Sequence, residues 1–328
     1  MVILGSSTAY VPSQWADVAC GAASPKNLME LIKFMRFYKT PAFLNDRLRE
    51  NGFKDLSVIH LGIPTASLED QLLILKQAIG LGKTPKLVVL AINPRELFVQ
   101  PAPDYYERGS PVQRGLADMF VPRRPLQESK LVRNLCVQLR PSVLSRFLCD
   151  EFEFFRYGIF IDLRPLSLKL DKYTQVPLRL NVELDPKIIL SRFWINPNPA
   201  RLDGKPLSNL FQYYRSDFVE TQTKSLIDLA ELLRVHKIRL LIAEVPLYPD
   251  VQLSPTAQAL YKQAIENSCR HGAVYYRPDQ YLSFDHTDFG ELLHMNSSGG
   301  YKLYSSIAAF IKLKKAELLP DCQLKKFD

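Results

Sequence analysis

Short runs of consecutive apolar residues, each ending abruptly in turn residues, alternate with longer stretches in which apolar positions recur every three or four residues. Val2-Ile3-Leu4 runs into Gly5-Ser6-Ser7, and residues 56–62, 86–92, 238–243 and 273–276 repeat that strand-like pattern. The run 86–92 is apolar almost throughout, as a strand covered on both faces requires. Leu68, Leu72, Leu75 and Ile79 fall on one helical face, so a helix is expected over 67–79, with Ser67 and Asp70 placed as a capping pair. Further helices are expected over 218–235, 255–269 and 297–313. Strand, helix and strand at these spacings predict a mostly parallel sheet with helices on both faces, a three-layer α/β/α sandwich.

One stretch breaks the rhythm. Residues 99–214 open on the proline-rich loop Gln100-Pro-Ala-Pro-Asp-Tyr-Tyr and carry the aromatic run Phe152-Glu-Phe-Phe-Arg-Tyr-Gly-Ile-Phe160. They read as a large insertion after the third strand, forming a lid or cleft wall on a single α/β domain that spans 1–328. Carboxyl ends of parallel strands are where such folds place ligands.

Composition narrows the chemistry. With 328 residues, 47% of them hydrophobic, the chain can bury a large core. Its formal charge of +8 would suit an anionic partner, but the basic residues are scattered and no nucleic-acid-binding motif accompanies them, so no nucleic acid is expected. The five cysteines contain no CxxC pair, and the histidines lack metal-ligand spacing, so neither a metal nor a cofactor is expected. Gly82-Lys83-Thr84 is followed by Pro85 and lacks the upstream glycine of a phosphate loop. No Gly-x-Gly-x-x-Gly follows a strand. No apolar run reaches membrane-span length and no signal peptide opens the chain, which as written predicts a soluble, cytoplasmic protein. Because a core strand starts at residue 2, a missing upstream anchor would instead make it membrane-anchored and extracytoplasmic.

Four segments fall at the carboxyl edge of this expected sheet: Gly5-Ser6-Ser7, Leu61-Gly62-Ile63-Pro64, Ala91-Ile92-Asn93-Pro94-Arg95-Glu96, and Glu291-Leu-Leu-His294-Met-Asn296. Singly, each has a plain structural explanation: a turn and helix N-cap, two strand ends, and the cap of the last helix. In this order they resemble the four blocks of the SGNH/GDSL hydrolase superfamily. The resemblance implies a flavodoxin-like SGNH fold and spans most of the core, though not the insertion.

Carried onto this chain, the resemblance makes Ser7 the nucleophile and His294 the base. Ser7, Gly62 and Asn93 become the oxyanion donors. Glu291 stands where the family has aspartate, with Asp288 as the alternative acid and Asp285 also nearby. Ser6 replaces the aspartate that precedes the family's serine, a change shared with acyltransferase-like branches. The large insertion and the His-Met-Asn block are similar to poorly characterised bacterial SGNH-like proteins related to alginate-type polysaccharide O-acetyltransferase factors. That similarity implies a carboxyl-ester hydrolase or O-acyltransferase of the cell envelope. The implied substrate is an acylated small molecule or polysaccharide, and the implied partner a membrane acyltransferase. The alternative is a non-catalytic SGNH-like module for binding or assembly in envelope-polymer modification.

Overall fold

In the computed structural model, residues 1–24, 34, 38–62, 66–98, 216–290 and 294–319 are described. Elements are numbered among these residues. Five parallel strands form one sheet: β1 (Val2–Leu4), β2 (Ile59–His60), β3 (Leu87–Ile92), β4 (Arg239–Glu244) and β5 (Ala273–Tyr276), in the order β2-β1-β3-β4-β5. This is the doubly wound order in which strand sequence reverses between β1 and β3, so a crevice opens beyond their carboxyl ends. Register is set by Val2 opposite both Ile59 and Val88, and by Val88 opposite Leu240. Every residue of β1 and β3 is buried. β1 is interior, with β2 and β3 paired to its two edges.

Helices cover both faces. On one side α1 (Ser7–Ala19) packs with α2 (Ala42–Glu50) and α7 (Ser297–Leu313); on the other α5 (Ser216–Val235) packs with α3 (Leu68–Gly80) and α6 (Pro255–Arg270). Short helices α4 (Arg95–Phe98) and α8 (Lys315–Leu318) follow β3 and α7. The α/β three-layer expectation holds. The expected insertion at 99–214 lies outside the described residues, as does Glu291. Among the described residues, no helix is long and apolar enough to cross a membrane.

Local chemistry explains most boundaries. Ser67 and Asp70 form the expected capping box at the start of α3. Asn296 caps α7 by accepting from the Gly299 N–H, 3.1 Å away. The second strand is shorter than the apolar pattern suggests. Leu56 and Val58 are buried, but the Val58 N–H bonds the Asn45 side chain at 2.9 Å, so the ladder begins only at Ile59. The N-terminus of α2 receives its acceptor from another helix. Asp17 of α1 takes the Ala42 and Phe43 N–H groups at 2.9 and 2.7 Å.

Two adjacent glycines bring α7 against its neighbours. A Cβ at Gly300 would sit 2.3 Å from the Pro12 carbonyl oxygen of α1, and one at Gly299 would sit 2.2 Å from the Asp288 carbonyl oxygen. Only bare backbone fits either contact. Further along, the Tyr304 hydroxyl donates to the Ala9 carbonyl at 2.6 Å and completes the α1 to α7 seam.

Candidate active site

The turn from β1 into α1 places Ser7 at the crevice. Gly5 has φ +151°, and a Cβ there would lie 2.5 Å from Ala9 Cβ and 2.6 Å from the Ala91 carbonyl oxygen, so the turn accepts only glycine. Gln71, buried on α3, holds the Gly5 backbone from both sides: its carbonyl takes the Gly5 N–H at 3.3 Å and its amide donates to the Gly5 carbonyl at 3.0 Å. Ser6 then caps α1, accepting from the Thr8 N–H. Ser7 is thereby the first residue of a 13-residue helix, where a backbone N–H has no acceptor within the helix.

The partner of the Ser7 hydroxyl comes from far along the chain. His294 Nε2 lies 2.9 Å from Ser7 Oγ, across a sequence separation of 287 residues. Both residues are half-buried and open to solvent on one side. The loop bearing His294 is pinned at its base. Gly290 N–H donates to the His294 carbonyl at 3.0 Å, and Phe289 bridges antiparallel to Met295. Asn296 ties the same loop to the Asp288 and Thr287 carbonyls through its N–H and its side-chain amide.

Asp288, expected from the sequence as the alternative acid, is fully buried, and both its oxygens have donors. Ser298 Oγ lies at 2.7 Å from one; Lys302 Nζ at 2.7 Å and the Asp285 N–H at 3.1 Å serve the other. Asp285 caps the short 3-10 turn His286–Asp288. These groups form the floor beneath the histidine loop.

Gly62 and Asn93 sit at the same sheet edge, with their donors already engaged. The Gly62 N–H points to His60 Nδ1 at 3.0 Å, and the Asn93 amide donates to the Val245 carbonyl at 3.1 Å, with Pro246 O at 3.5 Å. Asn93 also accepts from the Arg95 N–H at 3.0 Å, starting α4. His60 itself is buried between the rings of Tyr10 and Tyr38. Desolvation lowers its pKa from 6.5 to about 3, so the ring is neutral, with Nδ1 accepting.

Two residues of this site escape a reading by motif. Gln71 clamps the turn, and Glu96 accepts hydrogen bonds from Ser6 Oγ at 2.7 Å and Thr8 Oγ1 at 2.6 Å on one carboxyl oxygen. Burial raises the Glu96 pKa, opposed by those two hydroxyl donors. A signal existed for Glu96, since Asn93-Pro94-Arg95-Glu96 follows a buried strand beside the serine strand. For Gln71 there was none beyond a polar residue on the inner face of α3.

Comparison of the chain with protein-family models, with curated proteins and with solved structures gives no match. The functional reading therefore rests on the residues and their geometry.

Proposed function

We propose that this chain is a serine-dependent carboxyl-ester hydrolase or O-acyltransferase of SGNH type, acting on an acylated glycan or similar polymer. The observation that carries this reading is the 2.9 Å contact of Ser7 Oγ with His294 Nε2 at the mouth of the crevice. A serine at the start of a helix with an imidazole in hydrogen-bond reach is the minimum a nucleophile and its base require.

In the proposed reaction His294 Nε2 takes the Ser7 hydroxyl proton as Oγ attacks the ester carbonyl. The oxyanion of the tetrahedral intermediate forms beside the Ser7 N–H at the start of α1. On collapse, His294 returns the proton to the departing alcohol and leaves an acyl-serine. Water, or a sugar hydroxyl, then attacks that ester with His294 again as base, and as the acyl–Oγ bond breaks His294 returns the proton to Ser7; the first acceptor gives hydrolysis and the second gives transfer. With Nε2 accepting, the imidazole proton resides on Nδ1, the atom that an acid such as Glu291 would orient.

A second reading, a non-catalytic binding or assembly module, is favoured by one observation. The Gly62 N–H and the Asn93 amide are directed at acceptors of the chain itself. Turnover separates the two. Wild type should release p-nitrophenol from p-nitrophenyl acetate and take a fluorophosphonate label on Ser7. Ser7→Ala should lose both, with a fall in rate of about 10³-fold or more. Turnover that is equal in wild type and Ser7→Ala, with no label on Ser7, would sink the enzymatic reading and leave the binding module.

A further inference from the structure

A side chain to which the motif assigns no role, Glu96, ties down the residues on either side of Ser7. Ser7 Oγ bonds His294, while the residues on either side of it are leashed to the same atom, Glu96 Oε1. Ser6 Oγ and Thr8 Oγ1 are themselves 3.1 Å apart, so the two hydroxyls and the carboxyl oxygen close a small triangle behind the nucleophile. Capping α1 does not need this arrangement, because Ser6 already accepts the Thr8 N–H unaided. Drawing a carboxyl group away from water costs free energy, and the chain meets that cost at half-buried Glu96, beside a single turn.

Glu96 is well placed to hold something still. It stands on α4 directly after β3, the strand paired with β1, and the turn into α4 is tied by Asn93 to the Val245 carbonyl just beyond β4. Gln71 grips the residue before Ser6 from the opposite helical layer. A rotation of the turn that would swing Ser7 away from His294 must break bonds to both.

We propose that Glu96 is the positioning residue of the nucleophile turn, setting the Ser7 hydroxyl within reach of His294 by accepting hydrogen bonds from Ser6 and Thr8. This rests on Ser7 being a nucleophile. The chemistry requires an acceptor oxygen at Glu96, not a negative charge. Glutamine can supply that oxygen, and alanine cannot.

The experiment compares the rate of Ser7 labelling by a fluorophosphonate across wild type, Glu96→Ala, Glu96→Gln, Thr8→Val and Ser7→Ala. Saturating rate and half-saturating probe concentration are measured separately, with far-UV circular dichroism as the check on folding. Glu96→Ala should lower the saturating rate about tenfold or more at unchanged half-saturation, since small displacements of reacting atoms carry penalties of that order. Glu96→Gln should recover to within about threefold of wild type, and Thr8→Val should fall between the two. A crystal structure of Glu96→Ala should show Ser7 Oγ and His294 Nε2 beyond hydrogen-bond distance.

A folded Glu96→Ala that labels as fast as wild type overturns the proposal, and so does a Glu96→Gln as slow as Glu96→Ala. If Glu96→Ala does not fold, Thr8→Val carries the test, and wild-type labelling in that variant overturns it. Wild type that takes no label at Ser7 overturns the hydrolase reading itself, an outcome distinct from any pattern among the Glu96 variants.

Discussion

Acid should loosen this protein through one buried ring. His60 is 2% exposed, lies between two tyrosine rings, and accepts the Gly62 N–H on Nδ1. Its pKa falls from 6.5 to about 3 on folding because burial disfavours the imidazolium. Between those values the unfolded chain binds a proton that the folded chain refuses. Stability therefore falls as pH drops through that window, and the full contribution is present only above the unfolded value. At pH 5, which is 1.5 below the unfolded value, the loss is about 2 kcal/mol at ~1.4 kcal/mol per pH unit.

The informative comparison is wild type against His60→Asn, whose amide oxygen can still accept the Gly62 N–H but does not titrate. Loss of ring packing lowers the variant equally at every pH, so only the slope matters. Urea unfolding followed by far-UV circular dichroism at pH 7 and pH 5 should show wild type losing about 2 kcal/mol more than the variant. Slopes that agree to within about 0.5 kcal/mol would refute the reasoning, because the two proteins differ only at position 60.

Two other perturbations test the scaffold. Gly300→Ala reverses the usual helix rule: alanine normally gains about 1 kcal/mol over glycine, but here its Cβ meets the Pro12 carbonyl oxygen at 2.3 Å, so thermal unfolding should report a loss of about 1–3 kcal/mol. Asp17→Ala strips the acceptor from two N–H groups at the start of α2 and should cost about 1–3 kcal/mol in the same assay, with Asp17→Asn recovering part of it.

Periodicity made the sheet legible because a parallel sheet covered on both faces writes its strands as unbroken apolar runs, and β3, β4 and β5 fall on their expected runs. The helix over Ser297–Leu313 and the capping box at Ser67 follow from equally local chemistry. What escaped was set by distant partners. Helix α1 contains Pro12, which obscures a helical pattern, and α2 is capped by a carboxylate from another helix. At the site, the approach of Ser7 to His294 could be anticipated from their sheet-edge positions. The directions of the Gly62 and Asn93 donors could not, since they depend on His60 and on the Val245 carbonyl across the sheet. Gln71 was invisible for the same reason, as a polar residue turned inward looks in sequence like one turned to water, and of Glu96 only its place after β3 was legible.

The seam where Gly300 lies flat against Pro12 also sets the order in which the molecule can come to life. Ser7 precedes the imidazole it bonds by 287 positions, so a ribosome extrudes it long before His294. Contacts so remote in sequence are late events in folding. A growing chain can build β1, β3 and the Glu96 leash, and still carry its serine unpaired until α7 docks. The Ser7–His294 contact is completed only by the segment leading into α7, so a nascent chain, or one shortened before His294, holds that serine without its imidazole.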